Sequence, residues 1–235
     1  MKLIQLITQR ASRKILPFAL CFLSIQVFSQ SRKETDAGAI LSAEINKSFK
    51  KRFDLTFAEE VRFITNTIGF ERSVTTLGID YTLWKKKLKM GVYYDFIYHY
   101  NKNRLFEARN RYYYNLSYKQ AFESFTLTWR GRIQGTYRDE NRDSYKINPK
   151  YVLKNRLQLE YSIFGKPWKP SVSCEISNEL NNPMGNKVIR MRYEGGVTWR
   201  MNRTEYLDFF IRYGRQFDFR DSHVFYIGTG YKLKM

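Results

Sequence analysis

FTLTWRGRIQGTYR, residues 125–138, is the stretch that decides the fold. Its odd positions carry apolar, aromatic or small side chains, and every even position is polar, with arginine at 130, 132 and 138. A period of two is typical of a β-strand with two unlike faces. The run is longer than an ordinary soluble strand and longer than the roughly nine to eleven residues with which a tilted strand crosses a bilayer. It predicts a wall strand of a membrane barrel, with lipid on one side and a polar lumen on the other.

The same alternation recurs along the chain in eleven segments between residues 39 and 233. The clearest is Leu88–Tyr100, whose seven even positions are all apolar or aromatic. Short turns bearing Lys or Arg alternate with mostly longer, polar loops, which is typical of periplasmic turns and extracellular loops. The pattern therefore predicts an all-β fold, a transmembrane antiparallel up-and-down β-barrel. One residue departs from it, because Glu59 interrupts an otherwise apolar strand face.

The number of strands is left between ten and twelve by the pattern. Eleven segments are visible, but bacterial single-chain barrels usually have an even number of strands. Either a further strand lies near residues 31–38 or one segment does not span; the polar residues 31–36 could also thread part of the lumen. We favour twelve strands.

The first 29 residues have the composition of a cleaved secretory signal peptide, which leaves residues 30–235 as the barrel domain. Lys2, Arg10, Arg13 and Lys14 precede an apolar run from residue 15 to 28. A lipoprotein signal ending at Cys21 is disfavoured by the bulky Leu20 before it. Because no later stretch is apolar over about eighteen positions, a helical membrane protein is excluded.

Composition supports an exported barrel. The chain holds 18 Tyr, 18 Phe and 4 Trp among 235 residues, as aromatic girdles require. Removal of the first 29 residues leaves 37 basic and 22 acidic residues, a net charge of about +15. The cations are spread over strand faces and turns, so nucleic-acid binding is not expected. Cys174 alone would remain, which excludes an intramolecular disulfide.

Two motifs carry a resemblance to a known family. EEVRF at residues 59–63 and RNRYYYNLSY at residues 109–118, together with Lys-rich hairpin turns, resemble a Bacteroidota outer-membrane β-barrel family catalogued as a domain of unknown function, family 2490. The resemblance implies location in the bacterial outer membrane. It brings no activity, cofactor or catalytic residue.

The most distinctive candidate site is a set of charged residues on the polar strand faces. Side chains two apart on a strand share a face, so arginines and glutamates of neighbouring strands are expected to meet inside the barrel. We expect a structural lumen network or a narrow pore, with an anion or small-solute channel as the alternative. The predicted network comprises Glu60, Arg62, Arg109, Arg111, Arg130, Arg132, Arg156, Glu160, Glu175, Glu179, Arg190, Arg192, Glu194 and Arg200.

The runner-up function is an outer-membrane hydrolase acting on lipid. His99 lies near the end of the fourth segment and His223 just before the start of the last. Because short turns and longer loops alternate along the chain, both histidines are expected at the extracellular rim. Ser222 adjoins His223, but adjacent strand residues point to opposite faces and so do not form a dyad by themselves. We expect no catalytic residue here. A soluble periplasmic lipid-binding barrel is a third possibility.

No cofactor or metal site is expected from the motifs. Asp139, Glu140 and Asp143 share one loop that could hold a divalent cation, although a solvated loop is the plainer interpretation. Tyr113 is expected in the lumen between two outward tyrosines, and Cys174 is expected to be inert on the apolar face. Expected partners are outer-membrane lipid and lipopolysaccharide, with periplasmic chaperones and the barrel-assembly machinery during insertion; the oligomeric state is open.

Overall fold

The computed structural model describes residues 34–49, 52–64, 69–84, 87–100, 106–138, 148–183, 185–217 and 221–235. The predicted signal peptide lies outside these residues. Within them the chain forms eleven β-strands: β1 Glu34–Phe49, β2 Phe53–Ile64, β3 Gly69–Trp84, β4 Leu88–Tyr100, β5 Phe106–Phe122, β6 Phe125–Arg138, β7 Lys150–Tyr161, β8 Trp168–Glu179, β9 Lys187–Arg200, β10 Glu205–Phe217 and β11 Asp221–Lys234. Among the described residues there is no candidate membrane-spanning helix.

The strands form a closed barrel in which each strand pairs with its sequence neighbours. Ten pairs are antiparallel, and the barrel closes where β1 pairs with β11 in parallel, from Glu34 beside Ser222 to Asn46 beside Lys234. The all-β barrel predicted from the sequence is therefore confirmed. The preference for twelve strands is wrong: the visible eleven strands close by themselves, because an odd number brings the first and last strands together in the same direction.

Uninterrupted alternation gave correct strand bounds. β4 and β6 span the residues that the pattern indicated. Residues 34–38 open β1 rather than forming a separate strand. β3 begins at Gly69, although its regular alternation starts only at Val74. A β-bulge beside Arg62 and Phe63 breaks the period, because Arg62 pairs with Arg72 and Phe63 with Phe70.

The exterior of the barrel is apolar. Outward side chains such as Leu77, Ile211 and Ile227 are 53%, 61% and 70% exposed, far more than any soluble core residue. Aromatic pairs lie near both ends of the wall, and they include Phe53 with Tyr81, Phe125 with Tyr161 and Trp168 with Trp199 at one end, and Tyr98 with Phe106 and Tyr213 with Phe225 at the other.

The interior is where the chain packs. Ile40 and Ile97 are fully buried there, and Tyr113 is 4% exposed. Its ring stacks on that of Tyr93 with centroids 4.9 Å apart and planes 3° apart. The Tyr93 ring lies over the backbone of Gly78, where no Cβ would fit. Small residues beside inward aromatic rings thus let large side chains fill a narrow barrel.

The two ends of the barrel differ in their connections. At one end, which we name the turn end, β1, β3, β5, β7, β9 and β11 finish and β2, β4, β6, β8 and β10 begin. At the other, which we name the loop end, β2, β4, β6, β8 and β10 finish and β1, β3, β5, β7, β9 and β11 begin. β1 starts at the loop end and β11 finishes at the turn end, as the parallel closure requires.

Candidate functional site in the barrel interior

A chain of ion pairs crosses the interior. Arg212 on β10 donates from Nε to Glu194 at 2.7 Å, and Arg156 on β7 donates to the other oxygen of Glu194 at 2.9 Å. Arg212 also lies 3.8 Å from Glu60 on β2, which accepts a hydrogen bond from Arg62 at 2.6 Å. Strands far apart in sequence are therefore joined through the lumen rather than only along the wall.

Glu175 on β8 is the centre of a second group. Its two oxygens accept hydrogen bonds from Arg130 at 2.9 Å and from Arg192 at 3.2 Å, and its side chain is only 5% exposed. Lys154 and Arg132 also interact electrostatically with this carboxylate. Four cations surround one anion, so this layer carries a surplus of positive charge.

Further pairs lie toward the loop end. Arg111 contacts Asp95 at 3.2 Å, Arg109 contacts Glu107 at 2.7 Å, and Glu179 contacts Lys150 at 3.2 Å. All three carboxylates are at most 7% exposed. Buried charges of this kind are tolerated only when they are paired and hydrogen-bonded.

The other members of the predicted network take different positions. Arg132 donates to Asn115 at 2.8 Å and its guanidinium lies over the Tyr113 ring at 3.9 Å, and Arg190 donates to Gln216 at 2.6 Å. Glu160 contacts Lys169 at 3.7 Å. Arg200 is exposed at the turn end, where it donates to the Asn202 carbonyl, so it does not join the interior pairs.

Several interior charges were not singled out from the sequence. Glu71, Arg72, Glu107 and Lys150 lie in stretches that the sequence pattern predicts as loops, residues 64–73, 101–107 and 139–150. The bulge interrupts the alternation in the first stretch, and the other two are mostly polar. The alternation itself could have found the rest, since they share faces with predicted lumen residues. The residues missed include Glu71, Arg72, Asp95, Glu107, Lys150, Lys154, Asp208, Arg212 and Lys232.

Burial of the inward side chains is graded along the barrel axis. Glu175 and Glu179 are 4% and 3% exposed. At the turn end the inward side chains of Lys89, Lys169 and Lys232 are 41%, 43% and 37% exposed. The inward side chains are therefore buried in the middle of the barrel and more accessible at the turn end. We name the charged interior around Lys89, Lys169 and Lys232 the vestibule.

The two histidines lie at the same end of the barrel, the loop end, but they are not brought together. His99 is on the inward face of β4, and its cross-strand partner is Glu107. His223 is on the outward face of β11, where its Nδ1 lies 2.6 Å from the Tyr213 hydroxyl oxygen. Three strands separate β4 from β11, and the histidines face opposite sides of the wall.

The exterior holds one described cleft near these residues, at the loop end. It has a volume of about 450 Å³ and is lined by Phe70, Tyr98, Tyr100 and Phe106. Neither histidine lines it. Aromatic rings without an accompanying acid, base or nucleophile suit packing against apolar chains rather than catalysis.

Remaining predicted positions are placed as follows. Tyr113 points inward, between the outward Tyr112 and Tyr114. Cys174 is a half-buried free cysteine on the outward face. Asp139, Glu140 and Asp143 lie outside the described residues. Among the described residues, no three His, Cys, Asp or Glu side chains gather in a metal-binding arrangement.

Comparison with known proteins yields a family but no activity. A family model described as "Protein of unknown function (DUF2490)" matches residues 37–224, which extend from β1 into β11. No curated protein matches the chain significantly.

Proposed function

The chain belongs to this family of proteins of unknown function, and we propose that it is a bacterial outer-membrane β-barrel whose interior is closed by its own side chains. The observation that carries the proposal is the inversion of ordinary packing. Large apolar side chains lie exposed on the outside, and ion pairs lie buried on the inside. Water outside such a wall would leave a large apolar area solvated, whereas lipid would not.

The proposed role is structural: a stable barrel with a filled lumen rather than an open pore. The interior ion pairs and the stacked Tyr93 and Tyr113 rings occupy the cross-section that a water-filled channel would need. A narrow anion pore is the second candidate, because cations outnumber anions around Glu175. It would require the paired side chains to move apart.

The orientation and partners follow from the same proposal. Short turns face the periplasm and the longer connections face outward, so the vestibule opens to the periplasm. Outer-membrane lipid and lipopolysaccharide contact the apolar exterior, and periplasmic chaperones with the barrel-assembly machinery insert the chain. Nucleic acid is not a partner, since many of the strand cations point into the barrel.

We also propose that the protein is not an enzyme. Catalysis by the histidines would require His99 and His223 to act at one site, and they lie on opposite faces with three strands between them. Alanine at both positions is expected to leave lipid composition unchanged in cells that express the protein. Loss of a lipid-hydrolysing activity in this variant would support the alternative.

Two measurements test the main proposal. Cell fractionation is expected to recover the chain in the outer membrane, with an electrophoretic mobility that changes on heating. Recovery in the soluble fraction without detergent would contradict membrane location. In planar lipid bilayers the wild-type protein is expected to give no steady conductance, and a stable unit conductance would establish a pore.

A matched pair of variants sharpens the conductance test. Tyr113→Ala with Arg132→Ala removes a stacked inward pair and is expected to open an ion-conducting path. Tyr112→Ala with Tyr114→Ala removes two outward rings from the same strand and is expected to stay silent. Equal behaviour of the two double variants would contradict a lumen closed by side chains.

A further inference from the structure

One row of inward residues across six neighbouring strands contains no carboxylate. The strand register aligns them directly: Asn115 on β5 with Arg132 on β6, Arg132 with Lys154 on β7, Lys154 with Ser177 on β8, and onward to Arg190 and Gln216. We name this row, Asn115, Arg132, Lys154, Ser177, Arg190 and Gln216, the donor row. Each member can donate hydrogen bonds, and three members are cations.

Arg132 and Lys154 are the centre of the donor row. They are direct cross-strand partners on one face, which brings their Cβ atoms to about 5 Å. Like charges placed directly opposite each other destabilise a sheet unless something neutralises them. The neighbouring inward pair on the same two strands, Arg130 and Arg156, is also doubly cationic.

Glu175 interacts electrostatically with Arg132 and Lys154, but no carboxylate of the described residues forms a hydrogen bond or an ion pair with either of them. None of the hydrogen bonds or ion pairs of the described residues involves the Lys154 ammonium group. Arg132 uses its Nε for Asn115, and neither of its terminal nitrogens is bound to a carboxylate. Glu175 is already shared by Arg130 and Arg192.

A second observation points to a missing acceptor in the same region. The Nε of Arg156, one inward position along β7 from Lys154, is buried without a hydrogen-bond partner. Buried donors are normally satisfied, and an unsatisfied charged donor costs more than a neutral one. The Arg156 Nε and the Lys154 ammonium group are therefore two inward donors on β7 without a hydrogen-bond acceptor among the described residues.

We propose that the donor row binds a small oxyanion, of the phosphate or sulfate type, between Arg132, Lys154 and Arg190. A tetrahedral oxyanion supplies negative charge and several acceptor oxygens at once, and the planar fork of arginine matches its geometry. Ser177 lies between Lys154 and Arg190 and adds a hydroxyl donor. A lipid head group is not the ligand, because the row lies inside the wall and the lipid-compatible surface lies outside.

The inference rests on the closed barrel and not on its membrane location or conductance. The bound oxyanion acts as a fixed counter-ion that holds β6 to β9 together. If no oxyanion binds, the results expected from cell fractionation and from planar bilayers stay the same. Failure of the oxyanion proposal is therefore distinguishable from failure of the proposed outer-membrane function.

The test compares inorganic phosphate with chloride at equal ionic strength, using the purified chain folded in detergent micelles. Phosphate is expected to raise the unfolding temperature of the wild type and to titrate to one site per barrel by calorimetry. Lys154→Met and Arg132→Gln are each expected to weaken phosphate binding roughly tenfold or more, because each removes a charged hydrogen-bond donor.

The control is Arg203→Gln, which removes the same charge from an exposed position in the turn after β9. It is expected to retain the phosphate response, and Lys154→Arg is expected to retain most of it. In chloride, Lys154→Met is expected to be at least as stable as the wild type, because an unpaired buried charge is gone. Equal unfolding temperatures in phosphate and chloride, or a full phosphate response in both lumen variants, would overturn the proposal.

Discussion

The Arg212 guanidinium on β10 reaches the Glu60 carboxylate on β2 at 3.8 Å, over the two strands that close the barrel. Those strands, β1 and β11, pair in parallel, which is slightly less stable per residue than antiparallel pairing. Arg212 also lies over the Phe210 ring at 4.8 Å, and that ring occupies the space above Gly228. A glycine on β11 therefore makes room for the aromatic ring beneath the ion pair that spans the closure.

Glu60→Gln tests this connection. It removes the charge that Arg212 and Arg62 share, and we expect the free energy of unfolding to fall by about 1–3 kcal/mol, because both guanidiniums are largely buried. Urea unfolding of the folded barrel in detergent measures the loss. Glu160→Gln is the matched control: its pair with Lys169 is long and half exposed, so a change below about 1 kcal/mol is expected. Equal losses of unfolding free energy in the two variants would show that the Arg212–Glu60 contact across β1 and β11 adds no stability.

Gly78→Ala tests the packing of the interior. An added Cβ would collide with the Tyr93 ring, whose hydroxyl donates to Asp80 at 2.7 Å and whose face stacks on Tyr113. Displacement of the ring is expected to cost about 1–3 kcal/mol. Near-ultraviolet circular dichroism is expected to lose tyrosine signal at the same time.

Gly195→Ala is the control for Gly78→Ala, because no atom lies within 4 Å of the added methyl group. Its effect on the free energy of unfolding is expected to stay within about 0.5 kcal/mol. Tolerance of both substitutions would contradict a tightly filled lumen.

The strands were predictable from the sequence to the extent that alternation was uninterrupted. β4 and β6 have the predicted bounds because every residue from Leu88 to Tyr100, and from Phe125 to Arg138, keeps its face. The start of β3 was hidden, because the bulge directs both Glu71 and Arg72 inward. The strand number was misjudged, because a parity rule drawn from other barrels outweighed the eleven segments that the chain displays.

The partners of the interior charges were less predictable than their faces. Alternation places Arg130 and Glu175 on inward faces, but their contact depends on the registers of both β6 and β8 with β7. The Arg212–Glu60 contact depends on closure of the whole barrel, which no local pattern encodes. The alignment of Arg132, Lys154 and Arg190 in the donor row likewise becomes visible only when the strand registers are known.

Glu59, the charged residue on an apolar face, has a local explanation. Its carboxylate accepts hydrogen bonds from the hydroxyls of Ser73 and Thr75 on the next strand, the second at 2.6 Å. We expect Ser73→Ala with Thr75→Val to destabilise the folded barrel by about 1–3 kcal/mol, because the outward carboxylate loses both donors. Urea unfolding in detergent again gives the measurement.

A cycle of the wild type, Glu59→Val, the Ser73→Ala, Thr75→Val variant and the triple variant checks that the lost stability comes from Glu59. Glu59→Val added to the Ser73→Ala, Thr75→Val variant is expected to recover much of the lost stability, since no unsatisfied carboxylate is left. If the triple variant is less stable than the double variant, the hydroxyls do not serve to satisfy Glu59.

Cys174 reports on what surrounds the outer wall. Its side chain is outward and half buried on β8, beside the exposed Val172 and Tyr193. If lipid covers this face, a membrane-impermeant charged maleimide is expected to leave Cys174 unmodified in vesicles and to modify it after unfolding, because a thiol in hydrocarbon neither ionises nor meets the reagent.

Lys169→Cys in a Cys174→Ser background provides the contrast, since position 169 is an accessible inward site in the vestibule. It is expected to react in the folded protein when the reagent reaches the turn end. Equal and rapid modification of both positions in the folded state would place the apolar wall in water and contradict the membrane assignment.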